Sequence, residues 1–466
     1  MVGFFLNHTD IMTQTSINPA TGDTLREYPV HTPVQVQQAI AQAHTSFLQW
    51  KKLPISERAK YLHKIADALL AKKDDYARLI AQEMGKPLKE AIAEIEKCAG
   101  CAKYFADNGA AFLADQPIAT EYRKSYVTFQ PLGVILAIMP WNFPFWQVFR
   151  CAIPALMAGN TVLLKHASNT PGCALAIESV FKDAGMPSHL FQTLLLPNER
   201  IEEVIGNRRV VAVSLTGSTG AGKSVASLAG KYLKKTVLEL GGSDPYLILA
   251  DADIEHAIKT CGASRLLNCG QSCISAKRLI VVESLKERFE QGIVAFFKQQ
   301  IMGDPLDPKT TQGPMARADL RDGLHKQVQK SIAAGARCLL GGEIPQGKGA
   351  FYPLSALTDV KKGMPAFDEE LFGPVAVIIP AKDEEDAVRL AGDSIYGLGG
   401  AVFTKDLERG ERIARERIES GACFVNMMVR SDQRLPFGGI KESGYGRELS
   451  AFGIHEFVNI KSIVVA

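Results

Sequence analysis

The segment Asn268-Cys269-Gly270-Gln271-Ser272-Cys273 sets a cysteine among small residues, where backbone amides can approach a reacting atom. Cys273 is therefore a candidate nucleophile, because a thiolate in such a stretch can add to an electrophilic carbon while nearby N–H groups hold the resulting charge. Upstream, Glu239-Leu240-Gly241-Gly242 ends a β-like run with a carboxylate, a natural base for water or thiol at the mouth of a sheet. Asn142 lies between Pro140-Trp141 and Phe143-Pro144, so two prolines fix the backbone around an amide able to donate to an oxyanion. Gly217-Ser218-Thr219-Gly220-Ala221-Gly222 joins a strand-like to a helix-like stretch, a setting that suits a pyrophosphate, although it does not have the G-x-G-x-x-G spacing. Read singly, each has a plainer alternative: Cys273 as a buried structural thiol, Glu239 as a solvated strand-end acid, Asn142 as a turn residue.

Positioning these groups requires a large chain, and 466 residues predict about three domains or two large ones. Apolar residues recur at helical spacing over 33–50 and 56–112, with Thr32 or Ser56 placed to cap helix starts. From about Ser125 short β-rich runs alternate with helix-like stretches, which predicts a parallel sheet. Four of these runs, 134–139, 161–164, 210–215 and 236–240, end at the turns that carry Asn142, Lys165, Gly217 and Gly241. Ligands of open α/β sheets sit at the carboxyl ends of strands, so these turns could converge on one crevice. A second α/β series runs from about Asp244 to Arg434, residues 435–447 read as an ordered Gly-rich loop, and the tail 455–466 alternates as a strand needing a neighbour.

Bulk properties exclude several classes. The net charge is +3 and basic pairs such as Lys51-Lys52 and Lys234-Lys235 are scattered among acids, so no stripe exists to track nucleic acid. Apolar runs such as 134–139 fall far short of the roughly 20 residues that cross a bilayer. Gly3-Phe4-Phe5-Leu6 has no basic flank or cleavage pattern of a signal peptide, and nine cysteines in a chain of this size suit reduced thiols, so the expected address is cytoplasmic. Cys98-x-x-Cys101 has the spacing of half a zinc site, but no second pair follows, and a core-facing pair on a helix with no metal is expected.

Together the motifs resemble the aldehyde dehydrogenase superfamily over essentially the whole chain. Pro140-Trp141-Asn142-Phe143-Pro144, Glu239-Leu240-Gly241-Gly242, Gly270-Gln271-Ser272-Cys273, Glu370-Leu371-Phe372-Gly373-Pro374 and Pro436-Phe437-Gly438-Gly439 stand in the family's order. The resemblance implies that Cys273 attacks an aldehyde, that Asn142 and the Cys273 N–H hold the oxyanion, and that Glu239 activates water to cleave the thioester. It implies NAD or NADP as cofactor, with Lys165 and Glu370 at the riboses, Phe372 near the nicotinamide ring, and Trp141, Gly217 and Ser218 near the pyrophosphate. His166 is expected as a turn residue beside the cofactor. Ser168 stands where NAD-restricted relatives commonly carry Glu, which leaves room for a 2′-phosphate and predicts that NADP is accepted. Cys151 stands where many relatives carry a lysine.

Lys165-His166-Ala167 and Gly241-Gly242-Ser243-Asp244-Pro245 look most like bacterial succinate-semialdehyde dehydrogenases. Arg150 sits where such enzymes often place a cation for the substrate carboxylate, while their second arginine position holds Leu267; Arg434 and Arg430 are candidates to replace that cation, and Ser431 to add a hydroxyl donor. Glutarate semialdehyde, an uncharged aldehyde, or a non-catalytic role for the fold remain as alternatives. The expected architecture is α/β: a doubly wound cofactor domain (1–115 and 133–241), an α/β catalytic domain (242–449), and a small β oligomerisation element (116–132 and 450–466) that implies a homodimer or homotetramer. Cys269 is a small buried neighbour of Cys273, or its disulfide partner under oxidation.

Overall fold

The computed structural model describes residues 12–466, so the Gly3-Phe4-Phe5-Leu6 patch and the start of the cofactor segment lie outside the described residues. The chain opens with a hairpin, Thr13–Ile17 against Thr24–Pro29, that sequence patterning did not signal. Four helices follow, Pro33–Trp50, Ile55–Ala71, Lys73–Met84 and Leu88–Phe112. Thr32 caps the first through a reciprocal capping box with Gln35. Ser56 does not cap the second, which begins one residue earlier at Ile55 behind Pro54, so Ser56 lies inside its first turn.

The first α/β sheet has six strands in the order Gly444–Tyr445, Lys235–Glu239, Val210–Thr216, Val134–Met139, Thr161–His166, Phe191–Thr193. All pairings are parallel except that of Gly444–Tyr445, an edge strand contributed by the stretch read as a loop. Chain order runs outward in both directions from the pair Val134–Met139 and Val210–Thr216, so the crevice of a doubly wound sheet opens beyond their carboxyl ends. Those ends carry Pro140-Trp141-Asn142 and Gly217-Ser218.

A seven-stranded sheet forms the second α/β unit, in the order Arg337–Leu340, Ser355–Thr358, Val375–Ala381, Arg278–Val282, Pro245–Ile248, Gly399–Phe403, Ala422–Val425. Only Arg337–Leu340 runs antiparallel. Strand Lys124–Pro131 leaves the body to pair with the terminal strand Val458–Val465 on one side and Gln116–Pro117 on the other. Between the layers, helix Trp146–Ala158 is buried at every position, in keeping with a sequence that is apolar apart from Gln147 and Arg150. Cys98 and Cys101 face the same core. Among the described residues no helix is long and apolar enough to cross a membrane.

Candidate active site

The nucleophile loop leaves helix Ile254–Leu266 through three successive left-handed residues, Asn268 (φ 54°), Cys269 (φ 55°) and Gly270 (φ 73°). Such a run is costly for side chains other than glycine, so its contacts must over-determine it. The Asn268 amide donates to the carbonyls of Asn142 at 2.6 Å and Gln271 at 3.1 Å, and the Asn268 N–H donates to Glu90 Oε2 at 2.7 Å. Gly270 is required: a Cβ there would lie 2.2 Å from the Gly373 carbonyl oxygen. The fully buried Arg265 ties the loop to the Glu370–Pro374 turn, donating to the carbonyls of Gly270, Leu371 and Gly373 and to Ser275 Oγ. Cys269 is buried with its Sγ against Gly313, accepting from that N–H at 3.1 Å.

Cys273 and Asn142 share the wall of one cavity of about 250 Å³. The same wall holds Trp141, Gly217, Ser218, Glu370 and Phe372, so seven of the residues singled out from sequence meet in one place. Trp141 and Phe372 pack edge to face, 5.9 Å between ring centres. The Asn142 Nδ2 donates to the Gln271 carbonyl at 3.2 Å, which fixes the amide and leaves its second N–H for the cavity. Behind the Asn142 turn, Glu94 Oε1 accepts from the N–H groups of Phe145 and Trp146 at 2.9 Å each and forms a buried pair with Lys86, a carboxylate at a helix N-terminus. His166 is not the turn residue expected beside the cofactor. It ends strand Thr161–His166, buried, with Nε2 against the Pro144 carbonyl at 2.9 Å and Nδ1 accepting from the Ala167 N–H at 2.8 Å. Burial holds its pKa down to about 4, so it is neutral and pins the Asn142 turn to the neighbouring strand.

Burial pushes the Cys273 thiol up to about 12 against the pull of Lys277 and Arg150. Lys277 donates to the Ser272 and Cys273 carbonyls at 2.7 and 2.6 Å and pairs with Glu370 at 3.1 Å, which also accepts from the Gly242 N–H at 3.2 Å. Glu239 ends its strand as expected but lies off this cavity wall. Neither of its carboxyl oxygens has a hydrogen-bond partner, and burial holds its pKa well above the carboxylate range, only partly offset by Arg150.

Arg150 is the clearest departure from expectation on the substrate side. Its guanidinium is fully buried, pairs with Glu448, donates to Thr216 Oγ1 at 3.2 Å and stacks on Phe437, so its charge is already matched. Arg434 is exposed, forms a two-pronged contact with Asp432 at 2.8 and 2.6 Å, and is not among the residues lining the Cys273 cavity. Arg430 is exposed as well. Ser431 is buried and accepts from Lys97 Nζ at 2.7 Å and Trp146 Nε1 at 3.1 Å. Cys151 is buried with Ser214 and Glu448 nearby.

Lys165 and Ser168 line a second cavity of about 980 Å³, with Lys165 Nζ donating to Asn198 Oδ1. Ser218 Oγ caps helix Thr219–Lys231, accepting from the Ala221 N–H at 3.3 Å, and the helix N-terminus opens beside the smaller cavity. Sequence reasoning missed Arg265, Lys277, Glu94 and Lys97. Lys277 alone left a signal, a cation four residues after the nucleophile; the others read as ordinary helix charges.

Comparison with known proteins gives a consistent picture. The profile of the Aldehyde dehydrogenase family matches residues 5–463. A probable succinate-semialdehyde dehydrogenase [NADP(+)] of Synechocystis sp. is 47% identical over 455 residues, 98% of this chain and all of that protein. The succinate semialdehyde dehydrogenase [NAD(P)+] Sad of Escherichia coli is 47% identical over 448 residues, 96% of this chain and 97% of its own. The crystal structure of succinic semialdehyde dehydrogenase from Streptococcus pyogenes with NADP+ superimposes with a TM-score of 0.95 at 39% identity, covering 97% of this chain and 99% of that one.

Proposed function

The chain belongs to the aldehyde dehydrogenase family, and on that premise we propose that it oxidises succinate semialdehyde to succinate with NADP or NAD. The observation that carries the chemistry is the shared cavity of Cys273 and Asn142, walled by Phe372, Glu370 and the Gly217-Ser218 turn. The near full-length likeness to succinate-semialdehyde dehydrogenases supports the substrate.

The residues fit a nicotinamide dinucleotide. The N-terminus of helix Thr219–Lys231 opens beside Gly217-Ser218, aromatic faces stand at Trp141 and Phe372, and a buried amine at Lys165 lines a cavity with the Ser168 hydroxyl. When bound, the cofactor supplies the hydride acceptor. Everything else falls to side chains of the chain. The Cys273 thiol gives up its proton to solvent, the thiolate sulfur forms a bond to the aldehyde carbon as the C=O π bond breaks, and the carbonyl oxygen becomes an oxyanion held by the Asn142 Nδ2–H. Loss of hydride from that carbon leaves a thioester on Cys273. Glu239, once ionised, takes a proton from water as its oxygen attacks the thioester, the C–S bond breaks with Cys273 leaving as thiolate, and the acid product loses its remaining proton to solvent as it is released as carboxylate. Arg150 favours the ionised forms of Glu239 and Cys273, since its charge reaches both.

We further propose that the protein is a homo-oligomer of the reducing cytoplasm. Val458–Val465 is an edge strand that exposes Ile460, Val464 and Val465, a surface that second copies cover, and all nine cysteines are free. Initial rates with succinate semialdehyde and butanal, each with NADP and NAD, test the main reading. A clear preference for succinate semialdehyde, abolished in Cys273→Ala, supports it; equal or better turnover of butanal would leave only the family assignment standing.

A further inference from the structure

Lys277 is a buried ammonium that the reaction above leaves without a role, although its contacts converge on the nucleophile. It stands four residues after Cys273, just ahead of strand Arg278–Val282, and donates to the Ser272 carbonyl at 2.7 Å and the Cys273 carbonyl at 2.6 Å. Its third partner is Glu370 Oε1 at 3.1 Å. An ammonium has three donors and no acceptor, so these three oxygens fix its orientation. The grip on Ser272 acts one bond further on. In a trans peptide the C=O and the following N–H point opposite ways, and none of the described peptide bonds is cis. Holding the Ser272 carbonyl toward Lys277 therefore turns the Cys273 N–H away from it. Among the described residues no backbone acceptor takes that N–H, which leaves it free for the oxyanion of an aldehyde added to the Cys273 sulfur.

The same ammonium places a charge beside the thiol. Burial raises the Cys273 thiol, and the largest opposing pull is that of Lys277, ahead of Arg150 on helix Trp146–Ala158. Two acids face the thiol from the other elements packed around it and add to the rise: Glu370 from the turn before Gly373-Pro374, and Asp244 from the segment before strand Pro245–Ile248. Arg150 is matched by Glu448, and Cys151, next to it, adds no positive charge. Lys277 and Glu370 thus act on Cys273 with opposite signs while paired to each other.

We propose that Lys277 is a positioning residue for the nucleophile, holding the Ser272 carbonyl so that the Cys273 N–H serves the oxyanion, and supplying the positive charge that favours the thiolate. This assignment rests on the reading that Cys273 is the nucleophile. Lys277 does not line the Cys273 cavity and acts through the backbone and through Glu370, which does.

The test uses the full-length protein as wild type, Lys277→Met, Lys277→Arg and Glu370→Gln. The rate of Cys273 alkylation by iodoacetamide, without cofactor and over a pH series, reads the thiolate, because this displacement develops no oxyanion. A nearby charge is worth about one pKa unit, and the higher nucleophilicity of a more basic thiolate offsets part of the tenfold loss of thiolate. Alkylation near neutral pH should therefore slow about three- to fivefold in Lys277→Met, recover in Lys277→Arg, and speed up in Glu370→Gln. Single-turnover reduction of NADP by succinate semialdehyde also needs the oxyanion donor, so Lys277→Met should lose roughly a further tenfold or more there. Alkylation unchanged in Lys277→Met, or slowed in Glu370→Gln, overturns the charge assignment; equal losses in alkylation and single turnover overturn the orienting one. If Lys277→Met gives no cooperative melt, the direction of change in Glu370→Gln still decides. Alkylation mapped to Cys273 that leaves wild-type aldehyde oxidation intact overturns the nucleophile reading itself, whatever the variants do.

Discussion

Replacing Asn142 by alanine separates catalysis from folding in a way the geometry makes quantitative. Its Nδ2 donates to the Gln271 carbonyl at 3.2 Å, but that oxygen also accepts from Asn268 Nδ2 at 3.1 Å, so truncation leaves it satisfied. The Asn142 Oδ1 has no partner to lose. The stability cost is thus one neutral hydrogen bond, about 1 kcal/mol. The kinetic cost is far larger, because the second N–H is the side-chain donor placed beside Cys273 for the oxyanion. Removing one such donor lowers the rate about 100- to 1000-fold, or roughly 3–4 kcal/mol of transition-state stabilisation. Single-turnover cofactor reduction with excess enzyme, read by stopped flow, isolates the step in which the oxyanion collapses; a thermal melt of the same sample reports the fold. A fall of less than tenfold, or a comparable fall that tracks loss of the cooperative melt, would refute the assignment of Asn142 to the oxyanion.

Three further outcomes follow from the same geometry. Ser168→Glu should cut kcat/KM for NADP by about 100-fold while sparing NAD, since a second negative charge within a few ångströms of a phosphate costs several kcal/mol in a partly buried site; parallel saturation curves for the two cofactors check it. Gly270→Ala should yield a protein with Cys273 displaced, because its Cβ would fall 2.2 Å from the Gly373 carbonyl, and the rate of Cys273 alkylation by iodoacetamide should change several-fold. Glu239 and Cys273 both act deprotonated and both are raised by burial, so kcat/KM should climb with pH well above the ordinary carboxylate range. A profile already flat from pH 5 upward would contradict that sign.

What was legible in the sequence was local. The β-run 134–139 and the turn after it were visible because Pro, Trp and Asn interrupt an apolar stretch, and Thr32 could be read as a cap because Gln35 stands three residues on. Seven site residues were placed by motif and meet in one cavity. Pairings across the chain were not legible. Arg150 and Glu448 are far apart in sequence, and the packing of helix Ser450–His455 on helix Trp146–Ala158, with the backbone pairing of Glu448 to Phe437, brings Glu448 inward. Arg265 reads as a solvated charge in a last helical turn, yet it is buried and donates to three carbonyls. His166 was misread because its neighbours are turn residues, whereas its ring closes onto Pro144 from an adjacent strand. Arg434 could have been discounted, since Asp432 two residues away offers it a local partner.

The central claim is that carbon–sulfur bond formation occurs on Cys273 and that Glu239 drives its hydrolysis. Glu239→Gln, mixed with succinate semialdehyde and NADP, quenched in acid and digested, should show a succinyl thioester on the peptide carrying Cys273, with Cys269 unmodified. Absence of any acyl adduct while cofactor is reduced, or an adduct on a different cysteine, would contradict it.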